Sequence, residues 1–315
     1  MNDYAIQRRM RSRGGKGRRV LFFLLVVALL LWLTLSGLRV LFSKTQGLKT
    51  IIPVTKSSDP LVRDSLASVV QNDLNGAKGD FAVYIKNLKT GELYVYNEHH
   101  VFDSASLYKL WVMGEVFEQV TSGRLTMDTK LKEDVEVLNE KFQIASESAE
   151  LTEGTIEQTV GDSLERMITI SDNYSGLLLA WKLRLSTIAS YLTRNGFAES
   201  KVGGSGESPV TTASDIGLFF EKLYTGKLAD PESTDDMLSL LKRQRLNGKL
   251  PKLLPEGTVV AHKTGELDTI SHDAGIVYTP MGDYIIVVLS DSSAPLSAVE
   301  RISALSRDVY AYFMK

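Results

Sequence analysis

Ser106-Leu107-Tyr108-Lys109 opens a run, Ser106 to Val120, in which Leu107, Leu110, Trp111, Gly114, Phe117 and Val120 recur at helical spacing. Residues three apart on a helix share a face, with Cβ atoms roughly 5–6 Å apart. A lysine amine can then reach a serine hydroxyl, and once desolvated it can take the hydroxyl's proton, which a serine nucleophile requires. The tetrad alone is weak, because Ser239-Leu240-Leu241-Lys242 repeats it. What distinguishes Ser106 is its company downstream: Ser171-Asp172-Asn173, then Lys263-Thr264-Gly265. Ser106 is therefore the candidate nucleophile, and its hydroxyl is expected to face two amines, those of Lys109 and Lys263. A lysine of ordinary pKa, about 10.4, must lose roughly three units to act as a base near neutrality. Burial or a like charge would cause that shift, and a neighbouring Lys263 would supply the charge.

Outward from this run, the flanking segments read as strands. Phe81–Lys86 and Glu92–Asn97 alternate apolar residues around the turn Asn87-Leu88-Lys89-Thr90-Gly91, whose own Lys-Thr-Gly reads as a plain hairpin loop. Near the other end, Val259–Lys263, Ala274–Tyr278 and Tyr284–Ser290 have strand character. Asp59-Pro60 reads as the cap and first turn of a helix carrying Leu61, Val62, Leu66, Val69, Val70 and Leu74. A last helix presents Val299, Ile302, Leu305, Val309 and Phe313 on one face. Between them the chain is mainly helical, with Leu164, Met167 and Ile168 leading into Ser171, an apolar helix over Leu177–Leu185, and another through Ile216, Phe219, Phe220 and Leu223. The expected architecture is α+β: an antiparallel sheet built from both chain ends, flanked by terminal helices, with an all-helical region inserted over about residues 106–250. The segment 201–209, with Gly203-Gly204-Ser205-Gly206, reads as a loop lacking the strand–helix context of a phosphate cradle.

The N-terminus has a different character. Residues 1–19 form a basic tail with seven Lys and Arg against Asp3, a net +6, so the remainder of a chain of net charge −2 carries about −8. An acidic body argues against a nucleic-acid partner. Residues 20–42 include LFFLLVVALLLWL and stay uncharged until Arg39. About 20 such residues span a bilayer's hydrocarbon core, and basic residues remain on the cytoplasmic side. The expectation is one N-terminal transmembrane signal anchor, a cytoplasmic N-terminus, a linker at 43–58 and an extracytoplasmic domain at 59–315 at the cell membrane; cleavage as a signal peptide is the alternative. The chain has no cysteine, which excludes a thiol nucleophile, a disulfide framework and a thiolate metal site. None of its four histidines has HExxH spacing, so neither a metal nor a cofactor is expected.

The ordered set Ser-x-x-Lys, Ser-Asp-Asn and Lys-Thr-Gly resembles class A β-lactamases and penicillin-binding proteins. The separations of 65 residues from Ser106 to Ser171 and 92 from Ser171 to Lys263 are similar to that family, as are Leu164-Glu165-Arg166-Met167-Ile168 and Val260-Ala261-His262-Lys263-Thr264-Gly265 followed by His272-Asp273-Ala274-Gly275-Ile276-Val277. The resemblance covers residues 59–315 and implies a β-lactamase-like fold. It also implies that Ser106 is acylated with Lys109 as its base, that Ser171 relays a proton to the leaving nitrogen, and that Asn173 binds the substrate amide. Lys263 would supply charge, and Thr264, beside Gly265, would contact a substrate carboxylate. The backbone N–H groups of Ser106 and Glu266 would form the oxyanion hole. The implied substrate is a β-lactam or a D-Ala-D-Ala-like peptidoglycan stem peptide.

The pattern departs from true class A enzymes in one region. The stretch between Ser171-Asp172-Asn173 and the helix start at Thr211-Thr212 is about ten residues short, lacks Glu-x-x-Leu-Asn, and has Leu177 where the family has an asparagine. Glu199 and Glu207 are the remaining carboxylates for activating a deacylating water, with Glu207 nearer the helix start. Three readings stay open: β-lactamase-like hydrolysis with slow deacylation, a D-Ala-D-Ala peptidase or penicillin-binding protein, and a non-hydrolytic ligand-binding or sensor module of the same fold. A Ser-His-Asp esterase fits less well, since no G-x-S-x-G occurs.

Overall fold

Continuous apolar runs in Phe81–Ile85 and Ile285–Leu289 call for strands buried on both faces. The computed structural model, which describes residues 65–204 and 207–315, pairs these two segments at the heart of a sheet. Along the chain, α1 (Leu66–Leu74), capped by the Ser65 hydroxyl, precedes the hairpin β1 (Asp80–Asn87) and β2 (Leu93–Tyr96). A two-residue strand β3 (Phe102–Asp103) and a 3₁₀ turn (Ala105–Tyr108) lead into α2 (Lys109–Thr121). Then come β4 (Lys130–Asp134), α3 (Val135–Lys141), β5 (Thr155–Thr159), α4 (Val160–Thr169), α5 (Asn173–Leu183) and α6 (Leu185–Arg194). After β6 (Val210–Thr211), the helices α7 (Ala213–Tyr224) and α8 (Pro231–Lys242) return the chain to β7 (Val260–Leu267), β8 (Ile270–Val277), β9 (Tyr284–Asp291) and the last helix α9 (Pro295–Phe313).

The main sheet is five-stranded and antiparallel, in the order β2-β1-β9-β8-β7, so strands from the two chain ends meet where β1 pairs with β9. Period-two alternation sends its residues into two cores. Phe81, Val83, Ile85, Ile286 and Val288 pack with Leu66 and Val70 of α1 and with Ile302, Leu305 and Val309 of α9. Ala82, Tyr84, Ala274, Ile276, Val287 and Leu289 pack on the opposite face against the helical region, including Leu107, Trp111, Ile216 and Phe220. Each large apolar side chain so buried contributes about 1.5–3 kcal/mol relative to exposure, which is why neither face of this sheet is left open to water.

Several expectations need correction. The inserted region is not all helical: β4 pairs with β5 and β3 pairs with β6, giving two small antiparallel ladders. The apolar stretch Leu177–Leu185 is not one helix, because Arg184, at φ +71°, breaks it between α5 and α6. The Asp59-Pro60 cap, the tail 1–19, the anchor 20–42 and the linker 43–58 lie outside the described residues. Among the described residues no helix is long and apolar enough to cross a membrane.

Candidate active site

The Ser106 turn differs from the expected α-helix in a way that bears on its chemistry. Ala105 to Tyr108 form a 3₁₀ turn, and α2 begins only at Lys109. In a 3₁₀ turn the side chains at i and i+3 eclipse rather than merely share a face, so Ser106 and Lys109 lie in line. Ala105, immediately before Ser106, has φ +43°. Backbone strain of this kind in a non-glycine residue persists only where the surroundings enforce it. Asp103 Oδ1 accepts from Ala105 N–H at 3.0 Å, and the Asp103 carbonyl accepts from His272 Nε2 at 2.9 Å. His272 Nδ1 in turn accepts from Ser290 N–H at 3.1 Å, which fixes the tautomer with hydrogen on Nε2. Burial pushes His272 down to about 4, so the ring stays neutral. This histidine of β8 therefore holds the turn that carries Ser106.

The Ser171-Asp172-Asn173 segment links α4 to α5. Asp172 is the helix cap, accepting from Ser175 N–H at 2.8 Å and pairing with Arg166 at 2.7 Å. Burial pulls its carboxyl upward, but the bonds from Ser175 and Arg166 outweigh this and hold it below the usual range. With the cap on Asp172, its neighbours are turned into the site, and Ser171 adopts φ +58°. Lys109 Nζ donates to the Ser171 carbonyl at 2.7 Å, to Asn173 Oδ1 at 2.6 Å and to Ser171 Oγ at 3.3 Å. Gly176, one turn along α5, leaves room for this lysine: a Cβ there would lie 3.2 Å from Lys109 Cε and from the Tyr108 hydroxyl.

The third segment comes from the sheet edge. Lys263 Nζ donates to Ser171 Oγ at 2.9 Å and to the Thr264 carbonyl at 2.8 Å. Gly265 permits the close approach of β7 to the nucleophile's turn, since a Cβ there would sit 3.2 Å from the Ser104 carbonyl and 3.3 Å from Ala105 Cβ. Tyr278 N–H bonds to the Val259 carbonyl at 3.0 Å, at the start of the β7–β8 register. The antiparallel alternation of bonded and non-bonded pairs then turns the N–H groups of Thr264 and Glu266 away from β8, toward the free edge. The Ser106 N–H belongs to the first turn of a helical segment, where donors have no intrahelical partner.

The two amines thus converge, but on Ser171 Oγ rather than on Ser106, whose hydroxyl has no hydrogen-bond partner among the described residues. A hydroxyl has two acceptor lone pairs and one hydrogen. With both lone pairs occupied by Lys109 and Lys263, the Ser171 hydrogen is free to be given away. Both lysines are fully buried. Burial lowers Lys109 to about 8, against the upward pull of Asp172 and Glu150. The expected like-charge effect appears on the other partner: burial first, then the charges of Lys109 and Lys249, lower Lys263 well below the ordinary lysine value.

Two site residues escaped the sequence reading. Glu150, on the loop between α3 and β5, accepts from Asn173 Nδ2 at 2.6 Å and so fixes which end of that amide faces Lys109. Lys249, before β7, is buried and ion-paired with Glu266. Neither lies in a motif or a periodic segment, so no sequence signal marked them. Of the deacylation candidates, Glu199 is engaged by His99 at 3.0 Å and by Thr212, the cap of α7, at 2.9 Å. Glu207 is exposed, on the rim of a cavity of about 400 Å³ that it shares with Tyr108, Trp111, Leu177 and Pro209. It makes no bond to the Lys109–Ser171 cluster. Leu177 packs into an apolar cluster with Val135, Leu138 and Tyr174. The decoys separate cleanly. Ser239 accepts from Arg243, and Lys242 lies 4.3 Å over the Tyr278 ring. In the β1–β2 turn, Asn87 Oδ1 accepts from the N–H groups of Lys89 and Thr90. Among the described residues no cluster of His, Cys, Asp and Glu could hold a metal.

A family model described as "Beta-lactamase enzyme family" matches residues 65–313. No curated protein matches the chain significantly. A β-lactamase from Sphaerobacter thermophilus superposes with a TM-score of 0.70 at 23% identity, over 80% of this chain and 98% of that one. PBP-A superposes at 0.68 and 23% identity, over 79% and 95%. A PBP-A variant in an acyl-enzyme complex with penicillin G gives 0.67 at 23% identity, over 79% and 96%. These likenesses establish a β-lactamase-like α+β fold.

Proposed function

The chain belongs to the β-lactamase enzyme family, and from that premise we propose that it is a serine hydrolase forming an acyl-enzyme on Ser106 with β-lactams or related amides. One observation carries the reading: the buried amines of Lys109 and Lys263 meet on Ser171 Oγ, with Ser106 one 3₁₀ turn before Lys109. Neutral Lys109 takes the Ser106 hydroxyl proton as Oγ attacks the carbonyl carbon. The oxyanion accepts from the N–H groups of Ser106 and Glu266, donors of a kind worth roughly 10²–10³ in rate. The C–N bond breaks as Ser171 gives its hydrogen to the leaving nitrogen, and Lys109 returns the proton to Ser171. Asn173 binds the substrate amide, and Thr264 beside Gly265 its carboxylate.

Deacylation needs a base that positions water. Among the described residues of the 201–210 loop no carboxylate is bonded into the cluster, and Glu150, which is, is engaged by Asn173, so the reading is one of slow release. This favours the second reading, a penicillin-binding D-Ala-D-Ala peptidase acting on peptidoglycan, over rapid antibiotic hydrolysis. The basic tail and apolar stretch of residues 1–42 support a single-pass anchor with the domain outside the cell membrane.

Two assays on the full chain in detergent test this. A reporter penicillin should label the wild type and leave Ser106→Ala unlabelled; equal labelling of both would defeat the assignment. A chromogenic cephalosporin should be consumed to about one equivalent per chain, and sustained turnover would favour the hydrolytic reading instead.

A further inference from the structure

Glu150 reaches the site from the loop between α3 and β5 with half of its carboxylate uncommitted. The loop is anchored beside it. Leu151 N–H donates to the Tyr174 hydroxyl at 3.2 Å, and the Leu151 carbonyl accepts from Asn139 Nδ2 at 2.9 Å. Tyr174 is buried on α5, directly after Asn173. One turn of helix thus carries both Asn173 and the anchor of the loop that faces it. Glu150 Oε1 accepts from Asn173 Nδ2 at 2.6 Å. Among the described residues Oε2 accepts no hydrogen bond, and the carboxylate has no ion-pair partner. Lys109 does not contact it, because its three hydrogens go to the Ser171 carbonyl, Ser171 Oγ and Asn173 Oδ1. Glu150 and Asn173 are both exposed, so the pair is open to an incoming molecule.

A side-chain amide nitrogen carries two hydrogens. Asn173 gives one to Glu150 and keeps the other for the amide carbonyl on the acyl side of a substrate. Two acceptors on one such nitrogen stand about 5 Å apart by ordinary hydrogen-bond geometry. A positive group on the carbon next to that carbonyl would therefore come within ion-pairing reach of Oε2. The substrate carboxylate, at the other end with Thr264, is untouched by this contact.

We propose that Glu150 is a specificity-determining residue for the acyl side: its carboxylate selects acyl donors that carry an ammonium group beside the amide held by Asn173. The inference rests on the acyl-enzyme reading. Complementary charge of this kind acts chiefly through selectivity. Exposed ion pairs are weak, so the preference is severalfold and fades as salt screens it.

Ampicillin and benzylpenicillin differ only by an ammonium group on that carbon. Their acylation rates are read by intact mass on the full chain at about pH 6.5, where an α-amino group is charged. The ratio of the two rates cancels any change in Lys109 that affects both alike. It should fall about threefold in Glu150→Gln and further in Glu150→Lys, and in the wild type it should fall as salt is added. A ratio that holds or rises in both variants would make Glu150 only a positioning residue for Asn173 and overturn the proposal, with the acyl-enzyme reading intact. If neither penicillin acylates the wild type, that reading itself fails and this inference falls with it.

Discussion

At the scale of single residues, the proposed chemistry turns on how burial keeps Lys109 partly neutral. Burial brings Lys109 to about 8, so its neutral, proton-accepting fraction grows as pH rises toward that value. The acylation rate with benzylpenicillin should therefore climb with pH and level off above about 8; Lys109→Met should lose the inflection and roughly 10²–10⁴ in rate, the usual loss for a general base. Glu150 stabilises the ammonium form and pulls the Lys109 pKa upward. Removing that charge in Glu150→Gln should move the inflection to lower pH, and an inflection that moves up would exclude Glu150 from this role. Ser106, Lys109, Ser171 and Lys263 were legible because each sits in a short motif with a chemical reason for its spacing. Their meeting point was not: the sequence could not tell that Asp172 takes the helix cap and leaves Ser171, not Ser106, between the amines. Glu150 and Lys249 were illegible because they reach the site from irregular loops.

At the scale of elements, the nucleophile's turn depends on β8 through His272. Burial holds His272 at about 4, against an ordinary value of 6.5. Above pH 6.5 the ring is neutral in both folded and unfolded chains and contributes no pH dependence. As pH falls from 6.5 to 4 the unfolded chain binds a proton that the native one does not, so stability drops by up to about 3 kcal/mol. Urea denaturation across that range should show this slope in the wild type, and His272→Gln should lack that part of it. The long strands were readable from the short apolar runs in Phe81–Lys86 and Tyr284–Ser290. The ladder of β4 (KLKED) and β5 (TIEQT) was not, because those strands are polar and largely exposed. β3 and β6, two residues each, are too short to show any period. Thr211-Thr212 marked the start of α7 correctly, with Thr212 accepting from Asp215 N–H at 3.2 Å. The break at Arg184 was hidden, since an arginine carries no signal for positive φ.

At the scale of the molecule, the sheet separates a core under α1 and α9 from the core that holds the site. Ile302, fully buried on α9, belongs to the first. Ile302→Ala should cost about 2–5 kcal/mol, seen as a lower urea midpoint, while the fraction that remains folded still takes up reporter penicillin. Loss of labelling in a folded Ile302→Ala would mean that the two cores are not separable. The architecture was legible because both chain ends carry the long strands and the middle carries most of the helices. On the proposed mechanism one serine, Ser106, aligned with Lys109 by a 3₁₀ turn, takes the acyl group. Peptide-mapping mass spectrometry of the full chain after brief exposure to benzylpenicillin tests it most directly. A single penicilloyl group on the peptide containing Ser106 is the predicted result; no adduct, or an adduct on the peptide containing Ser239, would contradict it.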